Sequence, residues 1–399
     1  METEEEGSME NKTNSRLGSH PGATAAGMFT EDLILEILSR LPSRSLHRFK
    51  CVSVLWRDLI ADPANRKKLP QTLAGFLYTT YSNNASRHHF AGVSGDGAAP
   101  FDPCLPYLQR GEYKDIAQVD ACNGLLLCRC CNNKVSPWAE DYFRFVVCNP
   151  ATGRWVELPP QPQTQDPANR HNHVAGLAFD PADSSHFDVL CFEQNFRGLH
   201  ITGLNIYSSQ TGAWSHRSSG MVEKVALFLL SKCVFVRGMM YVIGNLNHVI
   251  IEHVLLRVDM EGKVWTIIRV PYSQRLGMIG LSQGCLHYAI PPADDNNRML
   301  VSKRAIWWLK DHDSKELVLK HTTSINNLMS MTGQKYKVVG IHPDCDTIFL
   351  VSYGDNTLVS YDMRQQKVGR ILNLEKENGQ WFLPYVPLFS ESLAVADGQ

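Results

Sequence analysis

Two different periodicities divide the chain. Between Phe29 and about Leu69 apolar residues recur at helical spacing: Leu33, Ile37 and Leu41 lie four apart, with Ile34 and Leu38 one position along. This builds a wide apolar stripe. Thr30 is placed to cap the helix, Glu31 and Asp32 occupy the first turn where the helix dipole favours anions, and Phe29 and Ile34 have the spacing of a hydrophobic staple. Pro42 stops this first helix. Ser43 can cap a second that carries Leu46, Phe49 and Val52, and Ser53 a third that carries Leu55, Trp56, Leu59 and Ile60 and ends at Asp62-Pro63. After about Gln71 the pattern changes to short β-branched and aromatic runs separated by Gly, Pro, Asn and Asp, the signature of an all-β region. Residues 1–27 are acidic, then Ser/Gly/Ala-rich, and have almost nothing to bury. The pattern therefore predicts a disordered acidic tail over 1–27, a small all-α module of three short helices over 28–69, and a β domain over 70–399.

Three helices in so short a span cannot cover their own apolar surface, because they lack a second layer. Each large aliphatic or aromatic side chain left over gains about 1.5–3 kcal/mol from full burial, so the remainder must face something. The pattern alone leaves two covers open. One is the chain's own β region, with the helices as a brace; the other is a separate protein.

The β region repeats. Asn149-Pro-Ala-Thr-Gly-Arg-Trp155, Ser208-Ser-Gln-Thr-Gly-Ala-Trp214 and Asp259-Met-Glu-Gly-Lys-Val-Trp265 each set a polar turn before a tryptophan. Asp311-His-Asp-Ser-Lys-Glu-Leu317 and Asp362-Met-Arg-Gln-Gln-Lys-Val368 repeat the layout with an aliphatic residue. The spacing, roughly 50–60 residues, is that of a propeller blade with somewhat long loops. A second recurrent unit sets glycine before an apolar run: Asn123-Gly-Leu-Leu-Leu, Arg237-Gly-Met-Met-Tyr-Val and Gln283-Gly-Cys-Leu-His-Tyr. Five repeats are visible. A strand near Ala74 to Tyr78 can combine with the terminal Trp381 to Leu393 segment to make a sixth blade, which closes the ring and removes exposed sheet edges.

The helical string Phe29-Thr-Glu-Asp-Leu-Ile-Leu-Glu-Ile-Leu-Ser-Arg-Leu-Pro-Ser-Arg-Ser-Leu-His-Arg-Phe-Lys-Cys-Val-Ser-Val-Leu-Trp-Arg-Asp-Leu-Ile60 resembles an F-box over the whole motif. The family usually opens with Leu-Pro; Phe29-Thr30 keeps the apolar contact here and loses the fixed backbone of proline. Cys148-Asn-Pro-Ala-Thr-Gly-Arg-Trp-Val-Glu-Leu-Pro159 resembles the signature of plant F-box-associated β-propellers, which the later repeats match more loosely. The resemblance implies that the module docks a Skp-type adaptor, and through it a cullin ubiquitin ligase, while the propeller captures a protein substrate. By position in the motif, the implied adaptor contacts are Phe29, Leu33, Ile34, Ile37, Leu41, Pro42, Leu46, Val52 and Trp56. Sequence does not separate those that meet the adaptor from those that hold the helices together, and it leaves the substrate-binding residues and the substrate open.

Length and composition fit this division. The 399 residues exceed one ordinary core, and 44% hydrophobic with 20% charged residues describes a globular chain. Lys plus Arg (39) balance Asp plus Glu (40), so no basic field points to nucleic acid or a membrane surface. No run approaches the roughly 18 apolar residues of a membrane span, and Met1-Glu-Thr-Glu-Glu-Glu6 reverses the order of a signal peptide. The expectation is an intracellular soluble protein of cytoplasm or nucleus, where the 11 cysteines act as small buried hydrophobes.

Motifs that point to chemistry are weak. Gly280-Leu-Ser-Gln-Gly284 has the G-x-S-x-G pattern, but the alternating Cys285-Leu-His-Tyr-Ala-Ile290 that follows is a strand and not the helix a nucleophile elbow needs. Cys122, Cys128, Cys130 and Cys131 lack the paired spacing of a structural zinc site, and on a strand Cys128 and Cys130 share one face while Cys131 takes the other. His171 and His173 sit in a polar loop without a third ligand, and one of Trp307 and Trp308 is expected in the core. No catalytic residue, metal or cofactor is expected. The expectation is a non-catalytic adaptor; the alternatives are a propeller enzyme or carbohydrate- or ligand-binding propeller braced by its helices, and an F-box scaffold acting outside a ligase.

Overall fold

Strands that are apolar on both faces need a cover on both sides, and a ring of sheets supplies it. The computed structural model describes residues 30–41, 45–46, 49, 52–61, 65, 69, 73–82, 85–93, 99–109, 113, 115–132, 143–162, 174–195, 200–228, 231–246, 251–290, 303–311, 313–374, 381–388 and 393. The expected acidic tail therefore lies outside the described residues, as do Phe29 with its staple, Pro42, His171 and His173.

Six antiparallel sheets make a six-bladed β-propeller. The first joins the two ends of the ring: β1 (Gly75–Ser82) pairs with β2 (Ala85–Gly92) on one side and with the last strand, β24 (Trp381–Tyr385), on the other. The second blade holds β3 (Asp115–Cys122), β4 (Leu125–Cys131), β5 (Phe143–Asn149) and β6 (Arg154–Glu157). The third holds β7 (Val174–Ala178), β8 (Asp188–Asn195), β9 (His200–Ser208) and β10 (Ala213–Ser218). In the fourth, β11 (Ala226–Leu227) and β12 (Cys233–Val236) share one edge of β13 (Met239–Asn245), followed by β14 (His253–Asp259) and β15 (Trp265–Arg269). The fifth holds β16 (Met278–Ser282), β17 (Cys285–Ile290), β18 (Lys303–Trp308) and β19 (Val318–Ser324). The sixth holds β20 (Tyr336–Ile341), β21 (Thr347–Ser352), β22 (Thr357–Asp362) and β23 (Lys367–Asn373).

Strands β24, β3, β7, β12, β16 and β20 are innermost, and each contacts the innermost strands on both sides of it until the circle closes. The closure joins the two segments the sequence pointed to, with β24 ending at Tyr385.

The core is a set of layers, one between each pair of blades. Leu125, Leu127 and Val147 pack against the third blade, while Leu126, Cys128, Cys130 and Val146 on the same strands pack against the first. Met240 and Val242 likewise face the third blade, and Tyr241 and Ile243 the fifth. Alternation of side chains along a strand thus feeds two cores at once, which is why these strands read as unbroken apolar runs. Phe76 shows the tightness at the closing blade: it is fully buried against the rings of Phe349 and Phe382, 4.8 and 6.4 Å between centroids.

The recurrent glycine units are two-residue hairpin turns. Asn123 and Gly124 both have positive φ, as do Arg237 with Gly238 and Gln283 with Gly284, the twist-matched turn that glycine tolerates best. Gly284 of the G-x-S-x-G string is one of these, and its Ser282 is a buried strand residue. The polar turns before Trp155, Trp214, Trp265, Leu317 and Val368 join the third strand to the outermost one in blades two to six.

In the helical module the first helix runs Glu31–Ser39, capped by the Thr30 hydroxyl accepting from Leu33 N–H at 3.4 Å. A later helix, Val54–Ala61, is capped by Ser53, whose Oγ accepts from Trp56 N–H at 3.2 Å. Between them Ser45, Leu46 and Phe49 are helical.

Candidate interaction sites

The helical module has a core of its own. Ile34, Leu35, Leu38, Leu46, Trp56, Leu59, Ile60 and Leu69 form one buried cluster, edged by Leu41, Phe49 and Leu55, to which no blade contributes a residue. Trp56 stacks on Phe49 with ring centroids 5.1 Å apart. The nine residues singled out by sequence therefore separate. Ile34, Leu46 and Trp56 are interior. Leu33 is 45% exposed and Val52 55% exposed, while Ile37 and Leu41 are half-buried. Leu33 and Ile37, one turn apart on the first helix, lie outside the cluster, while Leu41 follows the helix and packs at the cluster's edge. The apolar surface that the helices cannot cover themselves is left open.

The ring has two unlike faces. Because the strands of each blade run up and down in order, the connections from first to second strand and from third to fourth share one face. There they are mostly tight: 123–124, 150–153, 209–212, 237–238, 283–284 and 363–366. Connections from second to third strand and from one blade to the next share the other face, and several of these are long: 158–173, 219–232, 270–277, 291–302 and 325–335. Exposed large apolar residues follow this division. Val222 (97% exposed), Phe228, Ile251, Tyr272, Leu276, Met331 (82% exposed) and Tyr353 all sit on the loop face, against Val264 on the tight-turn face and Trp155, Val318 and Leu319 on outermost strands. Around the fourth blade the connections that carry them are tied together: the Phe228 ring lies 5.5 Å from that of His253, whose backbone N–H donates to Ser273 O at 2.7 Å, and Arg269 bridges Glu252 at 2.6 Å and Glu223 at 3.3 Å. An apolar patch of this kind marks an interaction surface.

Chain direction brings the chain into the ring at the opposite face. Leu73 leads into the tight-turn end of β1, and β24 ends there too. The following residues cross that face, where Leu388 O accepts from Asn149 Nδ2 at 2.9 Å. A side chain at Gly124 would meet Leu388 at 2.3 Å.

A polar cluster on the tight-turn side ties the fifth blade to the sixth. Asp346 pairs with Lys320 at 2.8 Å, with His321 at 3.4 Å and with Arg364, and accepts from Gln283 Nε2 at 3.2 Å. Burial works to raise its pKa, but hydrogen bonds from Lys320 and Arg364 and the charges of Lys320 and His321 hold it down at about 2. Burial lowers His287 to about 4, which leaves its Nε2 to accept from Lys320 Nζ at 3.1 Å. A carboxylate so fully engaged is a structural tie and a poor acid or base. Among the described residues no three His, Cys, Asp or Glu side chains come together as a metal site. The strand thiols Cys128, Cys130, Cys191 and Cys233 are buried, and their pKa values are raised. No helix among the described residues is long and apolar enough to cross a membrane.

Fold and surfaces together define a class: a six-bladed β-propeller preceded by a small helical module with its own core and exposed apolar residues at its surface. Comparison with known proteins gives it a family. The model for an F-box protein At3g26010-like β-propeller matches residues 100–385, and the F-box domain model matches 29–68. The chain belongs to this family of F-box proteins with a C-terminal β-propeller. Among curated relatives, F-box protein At5g07610 of Arabidopsis thaliana is 27% identical over 198 residues, covering 46% of this chain and 44% of its own. F-box protein At5g49610 of Arabidopsis thaliana is 26% identical over 344 residues, covering 82% of this chain and 86% of its own. The chain thus spans about half the length of some curated relatives and most of others. A solved chain of the nidogen/laminin complex is 8% identical with a TM-score of 0.40, covering 78% of this chain and 98% of that one.

Sequence reasoning found the helical module, the turns and the ring closure. It missed the segregation of apolar residues onto one face, which needs the up-and-down topology, and it missed two charged residues in the central channel, which carry no motif.

Proposed function

We propose that this protein is the substrate-recognition subunit of a Skp-cullin-F-box ubiquitin ligase. The observation that carries the reading is the self-contained helical core with Leu33, Ile37, Leu41 and Val52 left at its surface. In this reading these four, with Phe29 and Pro42, contact a Skp-type adaptor, and Ile34, Leu46 and Trp56 hold the helices that present them. The target protein docks on the loop face of the ring, around Phe228, Ile251, Tyr272 and Leu276. The chain contributes position and no catalytic group. Holding a lysine-bearing target beside the ubiquitin-charged carrier makes the transfer effectively intramolecular, a gain that linker geometry sets. A helical brace for an enzyme would share its core with the ring, and among the described residues no blade side chain joins the helical core.

The test is co-purification of the full chain with a Skp-type adaptor. Leu33→Asp with Val52→Asp, and separately Leu41→Asp with Pro42→Ala, should abolish retention while the ring's thermal transition stays where it was. Unchanged retention in both variants would sink the assignment. Ubiquitination of a trapped target in the reconstituted complex, lost in the same variants, separates a ligase subunit from a scaffold outside one.

A further inference from the structure

The axis of the ring is not a plain apolar plug. Residues of all six innermost strands or their flanks line a cavity of about 120 Å³, among them Asp120, Leu177, Lys232, Ile279, Ile341 and Leu383. An apolar cavity of about 150 Å³ takes a benzene-sized molecule, so the space suits a small organic compound. Most of its wall is apolar or sulfur-bearing; the Asn123 amide and two charged groups break that character.

Asp120 lies two residues from the tight-turn end of β3, and Lys232 immediately precedes β12 at its loop-face end, so the two stand at different levels of the channel. Each is held by main chain. Asp120 accepts from Leu177 N–H at 2.8 Å and Ala121 N–H at 2.9 Å, one bond to each oxygen. Lys232 Nζ donates to Phe382 O, and to Val339 O at 3.5 Å. Burial pushes the Asp120 carboxyl up to about 7 against the pull of those two N–H groups and of Lys232. Burial likewise brings Lys232 down to about 8, opposed by Asp120. The ammonium keeps one N–H unused, and the carboxyl keeps lone pairs beyond the two engaged. Opposite charges at different levels of an apolar shaft define a ligand with complementary ends and a greasy body.

We propose that the axial channel binds a small amphipathic organic acid, its carboxylate on Lys232 Nζ, a hydrogen-bond donor on Asp120, and its apolar body against Leu177, Ile279, Ile341 and Leu383. The donor is an ammonium or a hydroxyl group. The inference concerns the ring alone and does not depend on the adaptor reading: it would stand if the helices bound nothing.

Full-length protein titrated in a calorimeter with 5-aminopentanoate, 5-hydroxypentanoate, pentanoate and pentylamine reads the site directly. The two acids that carry a donor at the far end should bind most tightly, and the amine, which lacks the carboxylate, should not bind. Lys232→Met should weaken the acids at least about tenfold. Asp120→Asn should weaken 5-aminopentanoate and the hydroxy acid and leave pentanoate unchanged, and the relative losses of the first two tell ammonium from hydroxyl. Absence of binding by any of the acids at millimolar concentration, or acid binding indifferent to Lys232→Met, overturns the proposal.

Should a variant fail to fold, the wild-type protein still decides. Reductive methylation of Lys232 by formaldehyde and borane, followed by mass spectrometry, should be slowed by the hydroxy acid, while exposed Lys310 reacts at its usual rate. An unslowed Lys232 counts against the site. So does a Lys232 that resists the reagent in free protein, because a channel closed to formaldehyde is closed to the acid.

Discussion

The helical module and the ring solve the same problem, covering apolar side chains, by opposite means. In the ring every blade lies between two others, so the inner strands are covered twice and six layers share the load. The module has one small cluster, and Leu33 and Val52 stay in solvent beside it. A structure that closes on itself needs no partner for stability, and what it offers outside is a choice of face. A structure too small to close offers its deficit as a binding site. The separation lets each region be damaged without the other.

The largest effect should come from opening the ring. A stop codon in place of Trp381 removes β24 and takes Phe382, Leu383 and Tyr385 out of two layers. At about 3–5 kcal/mol for each large buried aromatic, the loss reaches the ~5–15 kcal/mol that holds a typical domain. Circular dichroism should show no cooperative melt for the ring, and a normal melt would refute the closure.

Next is Trp56→Ala, which should cost the module about 3–5 kcal/mol. Hydrogen exchange should report loss of protection in Glu31–Ser39 and Val54–Ala61 with the strands unchanged. Protection lost in both regions would show that their cores are coupled.

Smaller again is Asp346→Asn, expected to cost about 3 kcal/mol by leaving Lys320 and its neighbours without their counter-charge. Here the sign with pH is fixed. The native pKa of Asp346, about 2, lies below its ordinary value of 3.8, so its contribution is present above pH 3.8 and is lost as pH falls toward about 2. Urea midpoints of wild type and variant should converge across that window, and parallel curves would show that the pair contributes nothing. Smallest for stability is Leu33→Asp with Val52→Asp, within about 0.5 kcal/mol, although it is expected to abolish adaptor binding.

Much of this architecture was legible because local rules carry it. Thr30 and Ser53 cap helices as their positions demand. The recurrence of three Xaa-Gly pairs before apolar runs showed in the sequence, while their positive φ, which makes them tight turns, came with the structure. The five polar turns counted five blades, and the leftover strands at the two ends supplied the sixth. The partition of the docking residues was not legible, since Leu33 and Ile34 are neighbours of one chemical type and only the packing of Trp56 and Leu46 decides which of them turns inward. Asp120 and Lys232 were also hidden. Each is a single charge in or beside a strand, and their meeting in one channel depends on how the blades are arranged around the axis.

The pairing of β24 with β1 also sets a timetable. The strand that completes the first blade leaves the ribosome last, roughly three hundred residues after its neighbour, which at ~5–20 residues per second is a wait of about 15–60 s. Throughout that interval the nascent blade shows a raw inner edge that chaperones must shield. A message cut short at any point before Trp381 yields a chain with its amino-terminal helices already made and its ring unsealed. Sealing of the ring therefore waits on translation of β24.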